Sequence, residues 1–141
     1  MSNLEKISVV FKVFSDLFSF PESKRLSNNL FSQENIESFN FSELQLGENF
    51  KILKDEILKY SEQDLMIEYA RLFVGPYSLI APPYGSYYLD GGIVMGETTV
   101  AVKQIYELAG VMLNENFKDL PDHIITCLLY TSDAADDLLC V

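Results

Sequence analysis

Glu68-Tyr69-Ala70-Arg71-Leu72-Phe73-Val74-Gly75-Pro76-Tyr77-Ser78-Leu79-Ile80-Ala81-Pro82-Pro83-Tyr84-Gly85-Ser86-Tyr87-Tyr88-Leu89-Asp90 starts with helical spacing and ends as a loop dense in proline and tyrosine. Leu65, Tyr69, Leu72 and Phe73 recur as one helical stripe, and Ser61 with Asp64 three residues on supplies an N-terminal cap. Gly75-Pro76 ends this helix, since proline cannot continue the hydrogen-bond ladder and glycine relaxes the backbone. The loop that follows is predicted to run to about Gly96. Tyr77, Tyr84, Tyr87 and Tyr88, set among Pro76, Pro82 and Pro83, offer flat apolar faces whose hydroxyls can still reach a peptide backbone. Any one ring packs a loop as readily as it binds a ligand. Four on one proline-restrained loop tilt the set toward binding, because little chain entropy is left to lose.

Outward from this stretch the pattern stays helical. Ile7, Val10, Phe11, Phe14, Leu17 and Phe18 form an apolar face over Leu4 to Phe18, with Ser2 and Glu5 spaced as a capping box. Pro21 stops that helix and can open a short one through about Asn29; Phe31 to Gly47 reads as helical turns and loop. Phe50, Leu53, Ile57 and Tyr60 line a helix over about Glu48 to Tyr60. Thr98 or Thr99 is expected to cap a helix carrying Ile105, Leu108, Ala109 and Met112, and Asp119 a last one with Pro121 in its first turn and Ile124 and Ile125 facing inward. No hairpin signal, repeat or low-complexity linker interrupts this, and the fold class read from it is all-α.

Composition narrows the chemistry. The 141 residues are 48% hydrophobic and carry a formal charge of -11, which fits one packed domain and disfavours nucleic acid or an anionic membrane surface as partner. The first residues lack the pattern of a secretory signal and no window is long and apolar enough to span a bilayer, so no membrane insertion is expected and the cytoplasm is the default compartment. With a single histidine, no metal site is expected, nor any cofactor. Gly91-Gly92-Ile93-Val94-Met95-Gly96-Glu97-Thr98 has the spacing of a phosphate loop, but Glu97 stands where lysine must neutralise the phosphates. Ser86 has no nucleophile elbow around it, and no catalytic residue is assigned. Taken alone, Asp122 reads as a first-turn acid, His123 as a capping or surface group, and Glu68 with Arg71 as a surface ion pair. A small enzyme using the acidic loop and His123 is the weakest reading.

Glu-Tyr-Ala-Arg-Leu-Phe-Val-Gly-Pro, then Ala-Pro-Pro-Tyr-Gly-Ser-Tyr-Tyr-Leu-Asp, then Gly-Glu-Thr-Thr and Pro-Asp-His-Ile, in this order, resemble the TorD/DmsD family of redox-enzyme maturation chaperones. The resemblance covers Glu68 to Ile125 closely and the earlier residues only in pattern. It implies a helical, cytoplasmic, non-enzymatic chaperone that binds the twin-arginine leader and apo-form of a molybdenum-cofactor oxidoreductase subunit before export, as a monomer or an exchanged dimer. Carried over by motif, the peptide-binding face is Tyr69, Leu72, Phe73, Pro83, Tyr84, Ser86, Tyr88, Asp122 and His123, with Asp122 a counter-charge for arginine. The family often has tryptophan in the loop; this chain has none and places Tyr84 and Tyr88 there. A NarJ-like chaperone that binds the apoenzyme itself is the alternative.

Cys127 to Val141 resembles one translated frame of a transposase adapter used in sequencing libraries. Residues 1–126 are accordingly expected to be one helical domain lacking its C-terminal helices, and 127–141 a non-native tail that carries both cysteines. Lost helices would leave an apolar patch exposed and the chain poorly soluble. Sequencing the source locus is expected to show the frame departing from this sequence near Thr126; an uninterrupted frame encoding Tyr130 to Val141 would overturn that expectation.

Overall fold

The computed structural model describes residues 3–21, 46–76, 79–111, 113 and 119–137. Among them the architecture is helical: α1 (Asn3–Phe18), α2 (Leu46–Ile57), α3 (Glu62–Tyr69) continuing into a π-helical turn (Ala70–Val74), the short α4 (Gly85–Leu89), α5 (Glu97–Leu108) and α6 (Ile124–Asp137). The all-α expectation stands, with one isolated antiparallel bridge, Tyr84 to His123, as the extended element among the described residues. The expected Ser2 cap, the helix after Pro21, the stretch from Phe31 to about Gln45, Tyr77 and Met112 lie outside the described residues.

α1 is the central strut, and it is buried on two sides. Val10 and Val13 meet Phe50 of α2, with Val9, Phe14 and Leu17 packed around them. The other side faces α6 through serines rather than large apolar residues. Ser8 and Ser132 are nearly inaccessible, at 2% and 0% exposure, and their hydroxyls are 3.0 Å apart. Ser15 donates to the Ile125 carbonyl at 3.3 Å. Small side chains let the two helices approach closely, and the hydroxyls of Ser8, Ser15 and Ser132 are all hydrogen-bonded. Periodicity of apolar residues cannot reveal this face, because serine scores as polar.

Helix boundaries follow local chemistry at some points and tertiary partners at others. Ser61 and Asp64 form the expected capping box, Asp64 N–H donating to Ser61 Oγ at 3.2 Å and Ser61 N–H to Asp64 Oδ2 at 3.2 Å. Gly75 ends the helix with φ 39°, a conformation an L side chain resists. The helix over residues 46–57 stops short of Tyr60, which is 57% exposed, and Leu53 is 37% exposed instead of buried. Neither Thr98 nor Thr99 caps α5. Gly96 is its N-cap and makes no side-chain bond, while Asp90 from the preceding loop accepts from Thr98 N–H at 2.9 Å and from the Thr98 hydroxyl at 2.6 Å. A Cβ on Gly96 would overlap that carboxylate, so glycine is required by the close approach. Pro121 is not in a first helical turn: 121–123 form a turn and the bridge, and α6 starts at Ile124.

α5 leaves Val100, Ile105 and Leu108 exposed at 56%, 61% and 88%. No helix among the described residues is long and apolar enough to cross a membrane. The serine face yields a direct test: Ser132→Leu should overpack the α1–α6 contact and lower stability by about 1–3 kcal/mol, measured by urea unfolding, whereas Ser132→Ala should cost less.

Candidate functional site

Two aromatic walls enclose an apolar cleft of about 320 Å³. One wall is Phe18 at the end of α1 with Phe73 of the π-helical turn, the other Ala81, Pro82, Pro83, Tyr84, Gly85 and Tyr88; Asp122, Ile124 and Cys127 complete the lining. The first wall is an aromatic cluster: Phe18 meets Phe73 edge-on at 6.0 Å, and Tyr69 meets Phe73 at 4.8 Å and Phe20 at 5.3 Å. The Tyr69 hydroxyl donates to the Phe18 carbonyl at 3.2 Å, fastening the helix to the end of α1. In α-helical register Leu72 O would accept from residue 76, a proline with no N–H, and it instead accepts Ala81 N–H at 3.0 Å. That bond brings the far end of the proline loop back against the helix.

The second wall is held by the chain before α6. Gly85 N–H donates to Asp122 O at 3.0 Å, Ile124 N–H to Pro83 O at 2.8 Å, and Ser86 N–H to the Asp122 carboxylate at 2.7 Å. Asp122 is only 3% exposed and satisfies an amide in the first turn of α4 from a distance of 36 residues. Burial pushes its pKa up, but hydrogen bonding from Ser86 outweighs burial and holds it below the usual value; its second oxygen, Oδ1, is buried without a partner among the described residues. It is therefore an ionised bracket between the loop and the last helix. Its position before α6 corrects the reading of a first-turn acid of that helix.

His123, also 3% exposed, is not the surface group that sequence alone suggests. Its ring stands edge-on to Tyr84 with centroids 5.2 Å apart. Nδ1 accepts Ile125 N–H at 3.1 Å, and Nε2 lies 3.6 Å from Asp119 Oδ2. Burial lowers the pKa of His123 against the opposing pull of Asp119 and Asp122, so the ring is neutral, with Nδ1 as acceptor. Tyr84 is pushed up to about 12, first by burial and then by Asp119 beside it.

Of the nine residues expected on the binding face, Phe73, Pro83, Tyr84, Tyr88 and Asp122 line the cleft. Tyr69 and Leu72 line a second apolar cavity of about 140 Å³ that shares Phe73 with the first. Ser86 and His123 line neither; Ser86 is fully buried and its hydroxyl accepts Met95 N–H at 3.2 Å. They position the loop. Sequence reasoning missed Phe18, whose helical spacing assigned it to the core, and Asp119, read as a cap. Glu68 and Arg71 form the expected exposed pair, with two bonds of 2.7 and 2.5 Å. Among the described residues no three of His, Cys, Asp and Glu gather as a metal site.

The nitrate reductase delta subunit family profile matches residues 43–139, which includes the π-helical turn, the loop and the bridge. The chain belongs to this family. It is similar, at 33% identity over 79 residues, to the Tat proofreading chaperone DmsD of Salmonella paratyphi A and of Salmonella typhimurium; the match covers 55% of this chain and 39% of each relative. A candidate DmsD of Haemophilus influenzae aligns over 96% of the chain and 68% of its own length at 26% identity. Among solved structures, a candidate redox enzyme maturation protein from Archaeoglobus fulgidus superposes with a TM-score of 0.66 at 26% identity, over 94% of this chain and 74% of that one. The chain thus spans about two fifths of the length of the Salmonella relatives, and the resemblance to redox-enzyme maturation chaperones stands.

The neutral histidine carries a pH dependence with a defined sign. The unfolded chain takes up a proton near pH 6.5 while His123 in the fold does not, so its contribution is full above that pH and is lost as pH falls toward the lowered folded value. Urea unfolding at about pH 7.5 and 5.5 should show wild type losing stability on acidification, by at most about 1.4 kcal/mol per pH unit, and His123→Asn losing less.

Proposed function

We propose that this chain is a cytoplasmic, non-enzymatic chaperone that binds the twin-arginine leader of a molybdenum-cofactor oxidoreductase subunit during maturation before export. The observation that carries the reading is the cleft between Phe18 and Phe73 on one side and Pro83, Tyr84 and Tyr88 on the other. It is apolar, rigidified by proline and aromatic packing, and set in a protein of charge -11. A leader with a cationic start and an apolar middle is complementary in both respects. Membership of the family and similarity to Tat proofreading chaperones support the same reading. Asp122 and His123 serve it indirectly, by holding Tyr84 and α4 in place.

A second reading, a chaperone that binds the apoenzyme itself, is favoured by the exposed Val100, Ile105 and Leu108 of α5 and by the family's description as a nitrate reductase subunit. Titration separates the two. A twin-arginine leader peptide should bind with micromolar affinity or tighter, about -8 kcal/mol, and a twin-lysine variant more weakly, since a planar guanidinium can bond both oxygens of a carboxylate. Tyr88→Ala, at a position 64% exposed and so tolerant of truncation, should weaken leader binding by about tenfold. Equal or absent binding of both peptides would reject the leader reading, and binding of leaderless apoenzyme would favour the second.

A further inference from the structure

Three buried side-chain oxygens have no hydrogen-bond partner among the described residues: Thr99 Oγ1, Asp122 Oδ1 and Thr126 Oγ1. Their residues are only 6%, 3% and 3% exposed, so bulk solvent does not serve them. Burial of a polar oxygen is costly when the hydrogen bond it made in water is not replaced, and folded chains rarely leave one so. Three together need a common partner.

They belong to one corner of the fold. Thr99 is in the first turn of α5, and Thr126 is in the first turn of α6, four residues beyond Asp122. The start of α5 comes close to Asp122 at Gly85, where an added Cβ would meet Asp122 Cβ and Thr98 Cγ2 at 3.8 Å each. After burial, which raises the Asp122 pKa, and Ser86, which lowers it, the Thr99 hydroxyl also favours the ionised carboxylate. Yet Thr99 Oγ1 makes no direct hydrogen bond to it. The occupant of the gap has to both give and take protons, because the two hydroxyls have protons to donate and an ionised carboxylate can only accept. A guanidinium or ammonium group reaching in from the cleft would leave both hydroxyl protons without an acceptor. A water accepts from two hydroxyls and donates to a carboxylate at once.

We propose that Thr99 Oγ1, Asp122 Oδ1 and Thr126 Oγ1 together bind one buried water molecule, which ties the first turns of α5 and α6 to the carboxylate that holds the second wall of the cleft. Asp122 lines the cleft whereas Thr99 and Thr126 do not, so the site lies behind that wall and is independent of the leader reading. Each oxygen of the carboxylate then has its own strut: Oδ2 takes Ser86 N–H of α4, and Oδ1 takes the water. The start of α5 is likewise fixed twice, at Thr98 by Asp90 and at Thr99 by the water.

Two measurements on the full chain, without peptide, test the site. A crystal structure of the wild type is expected to show one water within about 2.6–3.2 Å of all three oxygens. NMR titration of the Asp122 carboxyl carbon reads the water's hold on the carboxylate in Thr99→Val and Thr126→Val, since valine keeps the shape of threonine and removes the hydroxyl. Both variants are expected to raise the Asp122 pKa by roughly 0.5 to 1, and Thr99→Ser and Thr126→Ser to restore it. The effect of Thr126 is the sharper readout, because a threonine that merely fills space would leave the titration unchanged. A Thr126→Val variant that titrates as wild type, a Thr99 hydroxyl bonded straight to Oδ1, or a site without water overturns the proposal. If acid or a valine unfolds the chain, the wild-type crystal structure decides alone.

Discussion

The short backbone pairing between Pro83–Gly85 and Asp122–Ile124 is the contact on which the rest of the site depends. A helical protein has few places where two extended segments can exchange hydrogen bonds, and here prolines dictate how the exchange runs. Pro82 and Pro83 have no N–H to donate, so the loop accepts through Pro83 O and donates through Gly85 N–H. The Asp122 carboxylate adds a third bond, to Ser86 N–H, and thereby starts α4. With these three bonds in place Tyr84 and, from α4, Tyr88 line the same cleft as Phe73. Remove the pairing and the second wall keeps its bond from Ala81 N–H to Leu72 O but loses its attachment to the chain before α6.

Most of the polar residues of the motif are thus spent on construction. Asp122, His123 and Ser86 are buried, and each bonds a backbone amide that would otherwise be unsatisfied. A buried carboxylate is costly unless charge-assisted hydrogen bonds hold it, and the lowered pKa of Asp122 reflects that they do. The neutral state of His123 follows from the same economy, because Nδ1 can accept Ile125 N–H only while it carries no proton. The cleft is chiefly aromatic and aliphatic, with Asp122 as the one acid in its lining.

A likeness in residue order to redox-enzyme maturation chaperones was legible because its motifs sit at chemically demanding points: the glycine that ends a helix, the prolines before a bridge, and the aspartate that caps at a distance. Family membership agrees with it. The same motifs misled on location. Pro121-Asp122-His123 has the look of a first helical turn, since proline and aspartate are both favoured there. In the structure these residues form the turn and bridge that precede the helix, because the loop competes for their backbone groups and wins.

What the sequence by itself determined is what neighbouring residues can decide: the all-α class, the Ser61–Asp64 capping box, the break at Gly75 and the exposed Glu68–Arg71 pair. Each depends on side chains within a few positions of one another, whose spacing can be read directly. Only the tertiary structure decided that Ser8 and Ser132 form a buried seam, that Asp90 rather than a threonine secures the start of α5, and that Phe18 leaves the core stripe to face Phe73. Serine's small size becomes an asset, and an acid's charge becomes a cap, when a partner distant in the chain arrives within about 3 Å. Hydrophobic periodicity marks which faces turn inward. It carries no information about which inward faces will meet.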